Sequence, residues 1–202
     1  MIAIVDYGMG NLRSVSKAFE HLRHAAKVVQ TAPELAHASR LVIPGVGAFP
    51  DAIKHLHERG LIEPLRAFVA SGRPVLGICL GMQILFAESE EFGRHSGLGL
   101  LAGRVVRFSA PGIKVPHIGW NTLAIERDSA VLQGVGPGAA FYFVHSFFVQ
   151  PAEPEVVVTT TEYGQRFASS VQWNNVFACQ YHPEKSQTVG LRLLDNFARW
   201  QP

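Results

Sequence analysis

Cys79 is the residue of this sequence whose surroundings best fit a nucleophile. Glycines stand two positions before and two positions after it, at Gly77 and Gly81. This spacing is typical of a nucleophile elbow, in which a sharp strand-to-helix turn exposes the nucleophile and leaves no room for larger side chains. The start of the following helix favours a thiolate, because its free backbone N–H groups carry partial positive charge. We therefore predict that Cys79 is a catalytic nucleophile.

A thiol nucleophile needs a base for its proton and a third group that orients the base. Both are available in one short segment near the other end of the chain, where His182 and Glu184 flank Pro183. Proline restricts the backbone of the preceding residue to extended angles, which fixes the direction of the His182 ring. Glu184 is close enough in sequence to accept a hydrogen bond from the second ring nitrogen. These residues predict a Cys–His–Glu triad.

A glycine-rich turn follows the predicted strand 40–43 and contains Gly45, Val46 and Gly47. A tetrahedral intermediate needs N–H donors aimed at its oxygen, and glycine lets the backbone come close without steric cost. We expect this turn and the amide of Leu80 to form an oxyanion hole.

The elements that must position these groups alternate between strands and helices in the first half of the chain. Strands are predicted at 2–6, 27–31, 40–43 and 74–78, and helices near 12–22, 51–58, 62–70 and 80–88, with Asn11 as the first N-cap. The second half is richer in strands, predicted at 105–108, 139–149, 156–161, 167–173 and 176–181, with a last helix near 186–200. This pattern predicts one α/β domain over residues 1–202, with a mostly parallel central sheet, flanking helices and antiparallel additions. Ligands in such sheets bind beyond the carboxyl ends of the strands.

Composition excludes several classes of function. The 202 residues carry a net charge of only +2, with 48% hydrophobic and 17% charged residues, which favours a folded protein over a disordered one and gives no basic stripe for nucleic acid. No apolar run reaches the roughly 20 residues that cross a bilayer, and no signal peptide is recognisable. The two cysteines, Cys79 and Cys179, are expected to be free thiols in a cytoplasmic protein, with Cys179 in the core.

No metal or cofactor is predicted. The sequence lacks Cys/His zinc spacing and a P-loop. Gly8-Met9-Gly10 begins like a dinucleotide fingerprint, but Arg13 stands in place of the third glycine and no acidic residue ends the next strand.

Six segments spread over the chain match known family motifs. They are Asp6-Tyr7-Gly8-Met9-Gly10-Asn11, Pro44-Gly45-Val46-Gly47-Ala48-Phe49, Gly77-Ile78-Cys79-Leu80-Gly81-Met82-Gln83, His117-Ile118-Gly119-Trp120-Asn121, Tyr142-Phe143-Val144-His145-Ser146-Phe147 and His182-Pro183-Glu184-Lys185-Ser186. In this order and spacing the chain resembles the triad (class I) glutamine amidotransferases. The first, fourth and fifth segments resemble most the glutaminase subunits of imidazole glycerol phosphate synthase.

The resemblance implies a flavodoxin-like fold and hydrolysis of L-glutamine to glutamate and ammonia at Cys79, with His182 and Glu184 completing the triad. It implies that the substrate is held by Gln83, Glu91, Ser146 and Phe147. It also implies a separate (β/α)8 cyclase subunit that uses the ammonia to form imidazole glycerol phosphate and aminoimidazole carboxamide ribonucleotide in histidine biosynthesis. The residues that match the docking face are Asn11, His117, Trp120, Asn121, Tyr142 and Lys185.

Three alternatives stay open at this point. The chain could be the glutaminase subunit of another synthase, for pyridoxal phosphate, anthranilate or aminodeoxychorismate. It could be a deglycase-like or peptidase-like enzyme with a cysteine elbow, although such enzymes lack the terminal His-Pro-Glu segment. It could also be a non-catalytic docking subunit that keeps the fold, which the intact triad disfavours.

Overall fold

The computed structural model describes all residues 1–202, with six α-helices and fourteen strands. The helices are α1 (Leu12–His21), α2 (Ala32–Ala36), α3 (Phe49–Glu58), α4 (Ile62–Ala70), α5 (Leu80–Gln83) and α6 (Gln187–Arg199). The strands are β1 (Ile2–Val5), β2 (Ala26–Val29), β3 (Arg40–Gly45), β4 (Val75–Cys79), β5 (Phe86–Ser89), β6 (His95–Ser96), β7 (Leu101–Arg107), β8 (His117–Thr122), β9 (Ala124–Ile125), β10 (Ala140–His145), β11 (Phe147–Pro151), β12 (Val157–Glu162), β13 (Arg166–Trp173) and β14 (Val176–Cys179). None of the helices combines the length and the apolar character that a membrane span requires.

The largest sheet has eight strands in the order β2-β1-β3-β4-β14-β13-β12-β9. The first five are parallel, and β13, β12 and β9 extend the sheet in antiparallel fashion. The parallel part has the strand order of a flavodoxin-like fold. The predicted sheet, mostly parallel with antiparallel additions, is confirmed.

Helices cover both faces of this sheet, and each face has its own apolar core. On one face α3 and α4 bury side chains such as Phe49 and Phe68. On the other face α1 and α6 bury side chains such as Phe19 and Phe197. Burying one such phenylalanine contributes about 2–3 kcal/mol. The two cores hold β3, β4 and β14 rigidly, and these are the strands whose carboxyl ends carry the predicted reactive residues.

Two smaller sheets lie beside the large one. One has the order β11-β7-β5-β6, and the other pairs β10 with β8 so that Tyr142 lies opposite Trp120. The single strand predicted at 139–149 is therefore wrong, because the chain passes from one sheet to the other at Ser146. Strand β8 was not predicted, since its glycine and polar residues obscure the alternation that identifies a strand.

The helix predicted at 80–88 is also shorter than expected. It ends at Gln83, and the chain then enters β5, which pairs with β6 and β7. The carbonyl of Leu85 accepts hydrogen bonds from the amides of Leu100 and Leu101, which secures this change of direction. Tertiary pairing has overridden local helix propensity here.

Candidate active site

Cys79 lies at the junction of β4 and α5 in a strained backbone conformation. Its φ of 55° falls in the left-handed region, which non-glycine residues rarely adopt. A side chain at Gly81 would collide with the carbonyl oxygen of Ile43, and one at Gly77 would lie 2.8 Å from the carbonyl oxygen of Gly81. The two glycines are thus required by close packing, as the elbow spacing predicts. Because α5 has only four residues, its macrodipole is small. Stabilisation of a thiolate therefore depends more on the polar side chains around the sulfur.

His182 and Glu184 form a buried pair directly after β14. The Nδ1 atom of His182 lies 2.9 Å from Oε1 of Glu184, and both side chains are 1% exposed. Burial lowers the pKa of His182, but the neighbouring Cys79 and Glu184 side chains outweigh burial and raise this pKa well above its ordinary value. The other ring nitrogen, Nε2, is buried and makes no aligned hydrogen bond. It is therefore free to exchange a proton at the sulfur.

Sheet topology explains how residues so distant in sequence meet. Strand β14 lies beside β4 in parallel register, with Cys179 opposite Ile78. Both strands end at the same edge of the sheet, so the residues that follow them converge there. The proximity of Cys79 and His182 is a direct consequence of this pairing.

Two glutamines connect the Cys79 sulfur to the wall of the site. The Nε2 group of Gln180 lies 3.6 Å from Sγ of Cys79. The Nε2 group of Gln83 donates to Oε1 of Gln180 at 3.0 Å and to the carbonyl of Phe147 at 3.0 Å. Gln83 is thus held by two acceptors and is 5% exposed.

The predicted oxyanion turn begins at Gly45, the last residue of β3, which pairs with Cys79 at the elbow. A side chain at Gly45 would lie 2.5 Å from the hydroxyl oxygen of Tyr7 and 2.8 Å from Cβ of Leu80, so only glycine fits there. The buried Tyr7 hydroxyl donates to the carbonyl of Pro44 at 2.8 Å and anchors the start of the turn. Gly47 adopts a φ of 105°, a conformation that favours glycine.

A pocket of about 370 Å³ opens in front of Cys79. Its lining residues are Val46, Gly47, Cys79, Leu80, Gln83, Glu91, Pro116, Val144, His145, Ser146 and Phe147. The structure therefore brings all four predicted substrate-holding residues to one cavity, together with most of the predicted oxyanion turn.

Glu91 is the acidic residue of this pocket. Its carboxylate accepts the Phe49 amide at 2.7 Å. Burial raises its pKa, which the Phe49 amide partly offsets. A half-buried carboxylate at a pocket wall suits the binding of a positively charged ligand group.

Three of the residues expected at a docking face lie together. The Trp120 ring is 6.1 Å from the Tyr142 ring, and Nζ of Lys185 lies 5.6 Å from the centre of the same tyrosine ring. Trp120 is 50% exposed, and so is available to a partner.

The other three residues of that group are less exposed than Trp120, with His117 buried and Asn11 and Asn121 half-buried. His117 is only 3% exposed and is bonded to Asn121, with 3.2 Å between His117 Nε2 and Asn121 Nδ2. Asn11 occupies the N-cap position of α1, as predicted, although its side chain makes no capping hydrogen bond. It points instead to Glu184, with 3.4 Å between Nδ2 and Oε1.

No group of three or more His, Cys, Asp or Glu side chains is arranged to hold a metal ion.

Comparison with known proteins identifies the family. The sequence profile of "Glutamine amidotransferase class-I" matches residues 3–200. The chain belongs to this family. Among its curated relatives, the imidazole glycerol phosphate synthase subunit HisH of Syntrophotalea carbinolica is 52% identical over 205 residues, covering 98% of both chains. The subunit of the same name from Aquifex aeolicus is 51% identical and covers 97% of this chain and 95% of its own.

Solved structures show the same fold at lower identity. A chain described as "Crystal structure of glutamine amidotransferase" superimposes with a TM-score of 0.75 at 23% identity, covering 98% of both chains. A chain of PurLQS from Thermotoga maritima gives a TM-score of 0.76 at 17% identity, covering 98% of this chain and 97% of its own. The predictions of the glutamine amidotransferase family and of its α/β fold are confirmed.

Sequence reasoning missed two polar residues of this glutamine amidotransferase site. Gln180 lies two positions before His182, and His145 lies in a segment that contributed only its neighbours to the expected site. A polar residue at the end of an otherwise apolar strand was the available signal for both, because burying such a group requires a hydrogen-bonding partner.

Proposed function

We propose that this glutamine amidotransferase is the glutaminase subunit of imidazole glycerol phosphate synthase, and that it releases ammonia from L-glutamine at Cys79. The observation that carries the proposal is the strained Cys79 elbow beside the buried His182–Glu184 pair, at the base of a pocket large enough for an amino acid. The two relatives reported above, 52% and 51% identical to this chain, are named as subunits of this synthase. Their names favour it over the synthases that make pyridoxal phosphate, anthranilate and aminodeoxychorismate.

In the proposed reaction the Cys79 thiolate attacks the carbonyl carbon of the glutamine side-chain amide. The carbon–sulfur bond forms as the carbonyl electrons move to oxygen. His182 then gives its proton to the departing nitrogen, so that the carbon–nitrogen bond breaks and ammonia leaves. Neutral His182 takes a proton from water, which hydrolyses the thioester to glutamate and restores the thiolate.

Glu184 keeps this cycle aligned. Its bond to Nδ1 of His182 fixes the ring so that Nε2 faces the sulfur, and its charge stabilises the imidazolium form. Because Glu184 is itself buried, the pair keeps its orientation when water enters the pocket.

The turn after β3 is proposed to stabilise the oxyanion. Gly45, Val46 and Gly47 approach the elbow from one side, and the Leu80 amide lies on the other. Removing a donor of this kind costs roughly 3–4 kcal/mol of transition-state stabilisation in other acyl-transfer enzymes.

Around the bound glutamine we propose that Gln83, Glu91, Ser146 and Phe147 hold the amino-acid end. The negative charge of Glu91 suits the α-ammonium group. The backbone at Ser146 and Phe147 offers amides at the place where β10 gives way to β11.

The proposed acceptor of the ammonia is a (β/α)8 cyclase on a second chain, forming a heterodimer in the cytoplasm. Relatives that cover 98% of this chain and 98% of their own length are named as a synthase subunit, which supports residues 1–202 acting as one glutaminase domain. Trp120, Tyr142 and Lys185 form the proposed docking face, with Asn11, His117 and Asn121 behind it. The loop between β14 and α6 links that face to the triad, because the amide of His182 donates to the carbonyl of Tyr142.

The test is Cys79→Ala assayed with the cyclase. Synthesis from glutamine should fall to background, whereas synthesis from added ammonium salt should persist. Retention of glutamine-dependent synthesis would overturn the proposal. Loss of both activities would instead indicate damaged docking, which gel filtration of the complex detects.

A further inference from the structure

Two buried histidines take no part in the reaction described above. His117 begins β8 and His145 ends β10, directly opposite each other in the register of the two strands. His117 is 3% exposed, and its ring is stacked between Phe143 and Tyr163 with centroid distances of 4.9 and 4.0 Å. His145 is 6% exposed and lines the pocket. We call His117 and His145 the histidine pair.

An unbroken series of hydrogen bonds runs through the histidine pair. Nδ1 of His117 lies 3.0 Å from Nε2 of His145. Nδ1 of His145 lies 2.8 Å from the carbonyl oxygen of Phe147. On the outer side, Nε2 of His117 lies 3.2 Å from Nδ2 of Asn121. Every polar ring atom of the histidine pair therefore has a partner.

The inner end of this series fixes which ring atoms carry hydrogen. The carbonyl of Phe147 can only accept, so the hydrogen of His145 must be on Nδ1. In a neutral ring Nε2 of His145 then accepts, which requires Nδ1 of His117 to donate. Nε2 of His117 is left as an acceptor.

The outer end requires the same arrangement independently. The Nδ2 group of Asn121 also donates to the carbonyl of Glu162 at 2.9 Å, and Oδ1 of Asn121 accepts the Thr122 amide at 2.8 Å. These backbone partners orient Asn121 so that it donates to His117. Both ends thus specify the same tautomer, with hydrogen on Nδ1 of each ring.

A protonated ring does not fit this arrangement. A second hydrogen on either histidine would set two donors against each other, across 3.0 Å within the pair or across 3.2 Å at Asn121. Burial lowers the pKa of His117 to about 4. Burial, together with the nearby His117 and His182, lowers the pKa of His145 to about 3 against the raising effect of the Phe147 carbonyl. The histidine pair is therefore neutral at physiological pH.

The Phe147 carbonyl joins this series to the reactive centre. It accepts from His145 and from Nε2 of Gln83 at the same time. Gln83 also donates to Oε1 of Gln180, whose Nε2 group lies 3.6 Å from the Cys79 sulfur. The hydrogen bond from His145 therefore orients the peptide group that carries the Phe147 carbonyl. This peptide group in turn positions the Gln83 side chain, which lines the pocket beside Cys79.

We propose that His117 and His145 are positioning residues for glutamine binding: as neutral Nδ1–H tautomers they hold the Phe147 carbonyl against Gln83, and so fix the pocket wall beside Cys79. This inference rests on the proposed glutaminase function. It gives His117 a role inside the protein, in addition to its place behind the docking face.

Two substitutions of His117 separate hydrogen bonding from packing. His117→Phe keeps an aromatic ring between Phe143 and Tyr163 but removes the donor to His145. His117→Asn keeps a donor near the Nδ1 position but loses the ring. We expect His117→Phe to raise the KM for glutamine about fivefold, the equivalent of one neutral hydrogen bond, with a smaller change in kcat. His117→Asn should raise KM less, although it lowers the melting temperature more. The reverse order of KM values would show that packing alone matters and would overturn the proposal.

The tautomers are measured separately by ¹⁵N NMR of the histidine rings in the complex. Wild-type His117 and His145 should both carry hydrogen on Nδ1 at neutral pH, and His145 should shift toward the Nε2–H form in His117→Phe. Finding either wild-type ring in the Nε2–H form or protonated would overturn the proposal even if both variants fail to fold. If the wild-type complex releases no glutamate from glutamine, the proposed function fails instead, and the NMR result shows which of the two claims is wrong.

Discussion

The two cysteines of this protein lie at the ends of neighbouring parallel strands and have opposite surroundings. Cys79 ends β4 with a positive φ, and its sulfur contacts Gln180 and opens into the pocket. Cys179 ends β14 in regular extended backbone, is fully buried, and its thiol donates to the carbonyl of Tyr181 at 3.4 Å. Burial raises the pKa of Cys179 well above its ordinary value. Backbone geometry and access, and not the residue type or its depth alone, distinguish a nucleophile from a core thiol.

The largest expected effect comes from replacing each of the two cysteines by alanine and comparing the variants. Cys79→Ala should lower glutamine hydrolysis in the complex by a factor of about 10⁴ or more, since no other group can form the thioester. Cys179→Ala should change this rate less than about threefold and cost roughly 1 kcal/mol of stability from the lost packing. Glutamate release and thermal unfolding measure the two effects. Comparable loss of activity in both variants would show that the distinction between the two sites is wrong.

The second prediction concerns the elbow backbone around Cys79, which distinguishes this cysteine from Cys179. Gly81→Ala would place a methyl group against the Ile43 carbonyl and should cost about 3 kcal/mol or more of stability. Gly136→Ala is the matched control, because a side chain there meets nothing within 4 Å, and it should be neutral or slightly stabilising. Chemical denaturation of both variants provides the measurement. Equal stability of the two would mean that the elbow does not depend on close packing.

The elbow and the triad were predictable from sequence because each is a local pattern. Gly77, Cys79 and Gly81 lie within five positions, and His182 and Glu184 within three. The parallel half of the sheet was predictable for the same reason, since its strands and helices alternate at regular intervals. The strand-end positions of Gln180 and His145 mark both as polar groups that need partners, but the sequence does not identify those partners, because Gln83 and His117 lie far from them along the chain. Gln180 lies 97 positions from Gln83, and only the pairing of β14 with β4 brings them together.

The third prediction concerns a substitution that makes the surroundings of Cys79 apolar, like those of Cys179. Gln180→Met replaces the amide beside the sulfur with an apolar side chain of similar size and leaves one hydrogen of Gln83 without its acceptor. We expect kcat/KM for glutamine to fall about tenfold, or about 1.4 kcal/mol, which is within the cost of an unsatisfied buried donor. Steady-state kinetics of the complex would measure it. An unchanged kcat/KM would show that the sulfur does not need this polar contact.

The last prediction compares the histidine pair with the His182–Glu184 pair by their response to acid. An unfolded histidine binds a proton below about pH 6.5, whereas His117 and His145 stay neutral in the folded state down to about pH 4 and 3. The unfolded state therefore binds more protons in this range, and the free energy of unfolding should fall as pH falls from 6.5 to 5. His182 has a raised pKa in the folded state, so it contributes an opposite slope near pH 6.5. That contribution fades toward pH 5, where the unfolded chain binds this proton as well, and it is smaller than the sum from the two neutral histidines.

His117→Phe should reduce this slope by up to one proton, about 1.4 kcal/mol per pH unit. Phe167→Leu is the control, because Phe167 packs against both rings of the histidine pair and carries no titratable group. It should lower stability at every pH without changing the slope. Denaturation curves at several pH values test this, and an unaltered slope in His117→Phe would contradict the neutral state of the buried ring.

The position of β14 has a consequence for the synthesis of the protein. This strand is the last of the fourteen along the chain, yet it lies in the interior of the large sheet, between β4 and β13. A growing polypeptide on the ribosome holds the thiol of residue 79 long before the imidazole of residue 182 exists. Contacts between such distant segments also carry a loop-closure entropy cost, which slows folding. Translation order and topology together keep the hydrolase inactive until nearly the whole chain has emerged and closed its sheet.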